Sequence, residues 1–278
     1  MSASTLDRHL DLPMDAPGTS TPPRTAQQEG GLASVSKALM LLESLNQADS
    51  PAGVSALARA TGMPKSTAFR LLAYLEESGF VERAGKAYQL GRRLFELGNN
   101  VDYCRPDGVR NVALPFMTDL HTRTGMTVHL GVLEGTDVVY LEKIHGLRTS
   151  PVSTAVGSRT PASCTALGKA LLAFSDAGQL RQVAETGLAS RTQYSVRHPG
   201  MLLQQVQEVR RTAIAHDREE SQLGLSCVAS PIVVGGRAVA ALSVSGPTRP
   251  VSAETHGTIV RQAAVEISRR LAATTAAA

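Results

Sequence analysis

Apolar positions show no periodic arrangement at the start of the chain and a helical one from Leu32 onward. Residues 1–31 are rich in Ser, Thr, Asp, Gln and Pro and present no apolar face, which predicts a disordered tail. A stripe at helical spacing then follows. Its members are Val35, Ala38, Leu39, Leu42 and Leu45. This stripe predicts a first helix.

The next sixty residues alternate between helical and strand patterns. Short helical segments at 54–61 and 65–78 are joined by the turn residues 62–64, Gly-Met-Pro. Apolar alternation at 80–83 and 87–90, on either side of Ala-Gly-Lys, predicts a hairpin. A helix, a helix-turn-helix and a hairpin in this order predict a winged helix-turn-helix domain over residues 32–93.

A linker and a larger domain are predicted for the remainder of the chain. Residues 94–101 have a helical pattern that ends before Pro106 and Gly108, so we expect a linker helix within residues 94–109. Residues 110–278 predict an α+β domain built on an antiparallel sheet. Its expected strands are 127–133, 137–144, 225–234 and 238–245, and its expected helices are 165–175, 201–216 and 252–271.

The second short helix of the N-terminal domain has the side chains of a DNA-reading helix. Its helical period turns Ala68, Leu71, Leu72 and Leu75 inward. Lys65, Ser66, Thr67 and Arg70 then lie outside, where they can contact phosphates and base edges. Lys86 at the hairpin tip suits the minor groove or the backbone. We therefore predict binding to double-stranded DNA.

Charge and composition refine this picture. The formal charge of +4 is compatible with an acidic partner. Residues 32–98 contain only two more basic than acidic side chains, 8 against 6, so one copy would bind DNA weakly. We expect at least a dimer on a pseudo-palindromic site. No apolar run of about twenty residues and no secretory h-region is present, so we expect a cytoplasmic protein without a membrane partner.

An enzyme and a protein-binding module are the two alternatives to a DNA-binding regulator. The three cysteines show no CxxC pair, and neither a phosphate-binding loop, a GxSxG nor an HExxH motif occurs, so we predict no metal, no cofactor and no enzyme. A module that binds only protein stays an alternative. Sequence-specific retention of DNA in a gel would separate it from a regulator.

Several separate motifs resemble the IclR family of bacterial regulators. In the N-terminal part they are Ser36-Lys37-Ala38-Leu39, residues 61–67 (Thr-Gly-Met-Pro-Lys-Ser-Thr) and Tyr88-Gln89-Leu90-Gly91. In the C-terminal part they are residues 157–161, 165–173, 217–220, 224–232 and 243–247. The resemblance implies a GAF-like effector-binding domain, dimers that often pair into tetramers, and control by a small metabolite, often an organic acid. Most members of that family repress transcription.

The resemblance also implies the position of an effector site. The family's ligand positions correspond here to Ala166, Leu167, Asp217, Cys227, Ser243 and Ser245. The residues themselves suit such a role. A helix that starts near Thr165 offers unpaired N–H groups to a carboxylate, and the two serines share one face of a strand. Because Asp217 can accept a hydrogen bond from a hydroxyl, we expect a small hydroxy or oxo acid.

The strand register presents one difficulty for this site. A two-residue turn at Gly235-Gly236 would pair Ser243 with Val228 and turn Cys227 to the opposite face. A three-residue loop or a β-bulge would return Cys227 to the site. We predict the longer loop.

Overall fold

The computed structural model describes residues 26–48, 50–146, 152–186, 188–249 and 251–277. The chain divides into two compact units, Met1–Glu96 and Leu97–Ala278. Each is described separately below. Residues 1–25 of the predicted tail lie outside the described residues.

The N-terminal unit contains three helices and a small sheet. Its elements are α1 (Ala26–Asn46), β1 (Ala52–Gly53), α2 (Val54–Thr61), α3 (Lys65–Glu77), β2 (Val81–Ala84) and β3 (Ala87–Leu90). The sheet order is β1-β3-β2 with antiparallel pairs, so the predicted hairpin gains a short third strand. Leu41, Leu57, Leu72, Val81 and Tyr88 belong to its buried core. The winged helix-turn-helix is confirmed.

Helix α1 starts earlier than the sequence pattern indicated. It begins at Ala26, so residues 26–31 are helical and not part of a tail. Ala, Gln and Glu at 26–29 have high helix propensity, and this outweighs the two glycines that follow them.

The predicted linker helix is shifted toward the N-terminus. Helix α4 covers Arg92–Gly98, and a short 3-10 helix follows at Asp102–Cys104. The Arg92 N–H donates to Glu82 Oε1 at 3.0 Å. Because this bond satisfies an N–H group that has no partner within the helix, the helix can begin at Arg92. Gly98-Asn99-Asn100 are poor helix formers, so the helix does not reach Val101. The domain limits of residues 32–93, 94–109 and 110–278 stay a prediction.

The C-terminal unit is built on one antiparallel sheet, as predicted. Its helices are α5 (Val109–Thr124), α6 (Ala166–Ala173), α7 (Ala177–Glu185), α8 (Pro199–Thr212) and α9 (Thr258–Ala277). Its strands are β4 (Thr127–Glu134), β5 (Asp137–Ile144), β6 (Arg159–Pro161), β7 (Ala215–Arg218), β8 (Leu225–Val234) and β9 (Arg237–Pro247). The strand order is β6-β5-β4-β9-β8-β7.

One predicted helix is shorter than expected. The segment 201–216 was predicted as one helix, but α8 ends at Thr212, and Ala213 adopts the left-handed conformation with φ 57°. The chain then reverses into β7, where Asp217 pairs with Cys227. A strand of four residues leaves too short a pattern to be separated from the helix before it.

The sheet is covered on both faces. Val128, Leu130, Leu242 and Val244 pack in the same core as α5 and α9. Val138, Tyr140, Ala229 and Ala241 pack in the core that includes α6, α7 and α8. Successive residues of a strand point to opposite faces, so β4 and β9 contribute to both cores. The polar residues of interest lie on the α6 side.

Helix α6 lies against the short 3-10 helix at Ala162–Cys164, and Gly168 permits this close approach. All eight residues of α6 are buried. A Cβ atom at Gly168 would lie 2.1 Å from the Ala162 carbonyl oxygen and 2.4 Å from its Cα. Those are backbone atoms, which cannot move aside without shifting the segment. Glycine is therefore required where the first turn of α6 meets the 3-10 helix.

Replacement of this glycine tests the packing. We predict that Gly168→Ala lowers the free energy of unfolding by about 3 kcal/mol, because the added methyl group overpacks the contact. Urea unfolding followed by circular dichroism measures the change. Gly200→Ala in α8 is the matched control, since a Cβ there meets nothing within 4 Å. It should leave stability unchanged or raise it by up to about 1 kcal/mol. Equal stability of the two variants would contradict the packing described here.

Candidate functional site

Helix α3 presents the predicted polar side chains on its open face. Lys65, Ser66 and Arg70 are exposed, and Thr67 is half-buried. On the opposite face, Ala68, Leu71 and Leu72 are buried, and Leu75 packs against the same core. The inward and outward assignments agree with this arrangement.

The start of α3 is held by its turn. Gly62 adopts φ 67°, a left-handed conformation that ends α2, and the Met63 N–H donates to the Ala58 carbonyl at 3.1 Å. Pro64 then directly precedes the first residue of α3 with φ −57°. A proline at this point loses no helical hydrogen bond. The first turn of α3 is therefore preset before any ligand arrives.

The hairpin places Lys86 at an exposed tip, next to Gly85 with φ 64°. Arg83 on β2 is already occupied: its Nε lies 3.0 Å from Glu76 Oε2, and its guanidinium stacks over Tyr88 at 5.0 Å. Within the described residues, neither Arg70 nor Lys86 forms an ion pair. Both cations are therefore available for phosphates, as is Lys65, which also forms no ion pair with a described residue.

Two exposed aromatic side chains were missed by the sequence analysis. Phe69 on α3 is 52% exposed and Tyr74 is 60% exposed. Both positions fall outside the buried stripe of α3, and that spacing was the signal that could have identified them. Positions five apart do not share a helix face, so the two rings form no single apolar patch, and isolated exposed rings are common on protein surfaces.

A cavity in the C-terminal unit brings the predicted effector residues together. About 480 Å³ of space, part of it open to solvent, lies between α6, the sheet and the segment after β7. Ala166, Leu167, Asp217, Cys227, Ser243 and Ser245 all line it. Residues separated by about eighty positions in sequence thus surround one space.

The register difficulty is resolved by a bulge, and the predicted three-residue loop is wrong. Gly235-Gly236 form a two-residue turn, with Val234 opposite Arg237. Ile232 pairs with Ala240 while Val233 pairs with Ala238, so one extra residue of β9 is accommodated there. The two positive-φ glycines permit the tight turn that right-twisted strands prefer.

Beyond the bulge, the register returns Cys227 to the serine face. Cys227 lies opposite Ser245, and Ala229 lies opposite Ser243. The Cys227 thiol donates to Ser245 Oγ at 3.0 Å. Burial raises the pKa of this thiol well above its ordinary value, which keeps it protonated. Cys227 is therefore a neutral wall of the cavity and not a reactive thiolate.

A buried histidine continues this polar wall and was not singled out from the sequence. His129 Nδ1 lies 3.5 Å from Ser245 Oγ, and Nε2 lies 2.8 Å from Thr154 Oγ1. Burial lowers the pKa of His129 to about 3, and the charge of Lys143 adds to the effect. The ring is therefore neutral at physiological pH, with one donor and one acceptor nitrogen.

The N-terminus of α6 forms another part of the wall. Thr165 caps the helix by accepting a hydrogen bond from the Gly168 N–H at 2.9 Å. The first N–H groups of a helix have no intrahelical partner, and here they belong to Ala166 and Leu167. They face a site where the helix dipole favours negative charge.

Two ionisable side chains at this cavity, Asp217 and Arg191, differ in how far they are free to bind a ligand. Asp217 is fully buried, and its Oδ1 accepts from the Glu220 N–H at 2.7 Å while its Oδ2 accepts from the Ser221 hydroxyl. Part of its accepting capacity is thus already used by the protein. Arg191 lines the cavity from an exposed position, and the sequence analysis did not identify it.

Both units of the chain match sequence profiles of one known protein family. A profile of the IclR helix-turn-helix domain matches residues 34–85, and a profile of the C-terminal domain of bacterial transcriptional regulator IclR matches residues 101–269. The chain belongs to the IclR family. The members of this family are DNA-binding transcriptional regulators and not enzymes. The prediction of a DNA-binding regulator and the prediction that the chain is not an enzyme are therefore both confirmed.

Relatives in other bacteria are similar over most of their length. The regulator KdgR of Escherichia coli K12 is 32% identical over 236 residues, which cover 82% of this chain and 87% of KdgR. The repressor AllR of Salmonella paratyphi A is 30% identical over 262 residues, or 92% of this chain and 94% of AllR.

Solved structures share the architecture of this IclR-family chain. IclR of Thermotoga maritima has a TM-score of 0.73 at 31% identity, covering 87% of this chain and 99% of that protein. An IclR homolog from Microbacterium hydrocarbonoxydans, solved in complex with 4-hydroxybenzoate, has a TM-score of 0.80 at 26% identity, covering 86% and 99%.

The described residues lack the features of a metal site and of a membrane span. They contain no cluster of three or more His, Cys, Asp or Glu side chains that could hold a metal ion. Among the described helices, none has the length and apolar character needed to span a membrane.

The environment of Asp217 predicts a pH-dependent stability. Burial raises the pKa of its carboxyl to about 6. The folded protein therefore binds more protons than the unfolded chain between pH 4 and 6, and stability falls as pH rises through this window. Asp217→Asn keeps the shape and one acceptor but cannot ionise.

Urea unfolding of both proteins from pH 4 to pH 7 measures this effect. We predict that the variant gains up to about 3 kcal/mol relative to the parent protein as pH rises, which corresponds to a pKa difference of roughly two units. A difference between the two proteins that stays constant with pH would show that Asp217 is not held in a charge-disfavouring site.

Proposed function

We propose that this regulator is a repressor whose affinity for DNA is changed by a small organic acid bound in the cavity at the N-terminus of α6. The observation that carries the proposal is the meeting of the α6 N-terminus with the Ser243 and Ser245 hydroxyls in one cavity. Two comparisons support it. AllR is named a repressor, and the Microbacterium homolog was solved with 4-hydroxybenzoate, a hydroxy acid.

The chemistry of the cavity favours an acid with a second polar group. A carboxylate can accept from the Ala166 and Leu167 N–H groups, where the helix dipole stabilises it. Arg191 at the edge adds positive charge. The Ser243 and Ser245 hydroxyls can bond a hydroxyl or oxo oxygen of the ligand. The neutral His129 adds no competing charge.

Binding of double-stranded DNA would involve α3 and the hairpin. Lys65, Ser66, Thr67 and Arg70 would contact the major groove, and Lys86 the backbone or the minor groove. A homodimer or tetramer would double these contacts on a pseudo-palindromic operator, since the charge of one copy is small. The regulator would act in the cytoplasm, where its DNA is.

Removal of one exposed cation tests the DNA-binding assignment. We predict that Arg70→Ala weakens specific binding by about tenfold or more, because a guanine or phosphate contact is lost. The melting temperature should stay nearly unchanged, since Arg70 is exposed and forms no ion pair with any described residue. Gel shift with the promoter next to the regulator's own gene measures the affinity, and a thermal melt measures stability.

Arg181→Ala is the control for Arg70→Ala, because Arg181 is an exposed arginine on α7 in the other unit. It should leave DNA binding intact. An Arg70→Ala protein that unfolds, or that binds the operator as tightly as the Arg181→Ala control, would refute the role of Arg70. Absence of any specific retention by the unmodified protein would favour the module that binds only protein.

The effector assignment is tested with matched pairs of acids and amides. Lactate, pyruvate and 4-hydroxybenzoate are compared with lactamide, pyruvamide and 4-hydroxybenzamide, which lack the carboxylate. We predict that at least one acid raises the melting temperature by about 5 °C at a hundredfold excess over its Kd, and that its amide does not. The same acid should change the gel shift of the operator.

Ser245→Ala provides the corresponding variant. Loss of one buried hydrogen bond to the ligand should weaken binding by about tenfold. Ser175→Ala, which removes a half-buried hydroxyl in the turn after α6, should not affect binding. Equal shifts from acids and amides would contradict a carboxylate site.

A further inference from the structure

A second cavity lies at the outer edge of the sheet, along β7. It is open to solvent and has about 1300 Å³ of space between α8, β7 and the segment that follows β7. Lys169, Gln205, His216, Arg218 and Glu220 are among its lining residues. None of the residues predicted for the effector site lines it.

The base of the second cavity is a buried ion pair. Lys169 is 1% exposed and Glu220 is 6% exposed, and Lys169 Nζ lies 2.5 Å from Glu220 Oε1. Lys169 Nζ also donates to the His216 carbonyl at 2.8 Å. The other carboxylate oxygen, Glu220 Oε2, is buried and accepts no hydrogen bond within the described residues.

A second acceptor lies in the same wall without a partner. Gln205 Oε1 on α8 is buried and accepts no hydrogen bond from the described part of the chain. A buried acceptor that has left water without gaining a donor costs roughly 1 to 3 kcal/mol. Two such acceptors in one cavity therefore favour a bound group that donates hydrogen bonds.

The charges decide what kind of donor fits. Lys169 and Glu220 neutralise each other at the base, so a neutral hydroxyl meets no net charge there. At the mouth, Arg211 is paired with Glu208 at 2.6 Å. Arg218 is exposed and forms no ion pair with any described residue. It offers a positive charge to an anionic group outside the base.

We infer that the second cavity binds a small polyhydroxylated acid, whose hydroxyls donate to Glu220 Oε2 and Gln205 Oε1 and whose anionic group pairs with Arg218. The site is distinct from the effector cavity and does not depend on the function proposed for it. The two are neighbours, because the Glu220 N–H donates to Asp217 Oδ1 at 2.7 Å.

Calorimetric titration of the full chain with sodium D-gluconate tests the inference. Sorbitol, which lacks the acid, and acetate, which lacks the hydroxyls, are the control ligands. We predict that gluconate binds and that both controls bind at least about tenfold more weakly, as expected when a charge-assisted bond or several hydroxyl bonds are lost.

Variants assign the binding to this cavity. Arg218→Gln and Gln205→Leu should each weaken gluconate binding by about tenfold. Arg181→Gln, a matched change on α7, should leave it unchanged, as should Ser245→Ala in the effector cavity. Thermal melts show whether each variant is folded.

Three results would overturn the inference. The first is that gluconate does not bind, which would mean that ordered water alone donates to Glu220 Oε2 and Gln205 Oε1. The second is binding that Ser245→Ala removes and Arg218→Gln does not, which would place gluconate in the effector cavity. The third is binding that no folded variant alters.

Discussion

The cavity lined by Asp217, Cys227, Ser243 and Ser245, the candidate effector cavity, depends on a single extra residue in β9. Side chains alternate along a strand, so a shift of one position moves every side chain beyond it to the other face. The bulge between the pairs Ile232–Ala240 and Val233–Ala238 provides that shift. It places Cys227 beside Ser245 and keeps Val228 and Val244 in the opposite core. Without it, the polar and apolar sets would exchange faces along β8 or β9.

The cavity is assembled at a cost to stability. Asp217, His129, Ser243 and Ser245 are buried polar groups, and each must find a hydrogen bond or lose the solvation it had in water. Asp217 carries a raised pKa for the same reason. The close packing of α6 at Gly168 and the Lys169–Glu220 pair hold this polar region between the sheet and α8. Rigid surroundings are what keep unpaired N–H groups directed at a ligand.

The sequence was informative where its patterns were long or its turn residues specific. The helix-turn-helix, the hairpin at residues 80–90 and the two strands around Gly235-Gly236 were predicted with limits close to those observed. The four-residue β7 was merged with the helix before it, because so short a segment has no period of its own. The start of α1 was placed too late because it rests on propensity and not on an apolar stripe.

For the candidate site, family resemblance located the six residues, whereas the residues alone left the register open. A bulge has no sequence signature here, since Val239 differs little from its neighbours, so a longer loop was as reasonable from the chain alone. His129, Thr154 and Arg191 were missed because they come from separate elements that only the fold brings to the cavity.

The most direct test of the account is a crystal structure with the bound acid identified by the melting experiments. We predict that one carboxylate oxygen lies about 3 Å from the Ala166 or Leu167 nitrogen and that a second polar group reaches Ser243 or Ser245. A ligand seated elsewhere, or one whose carboxylate avoids the start of α6, would contradict it.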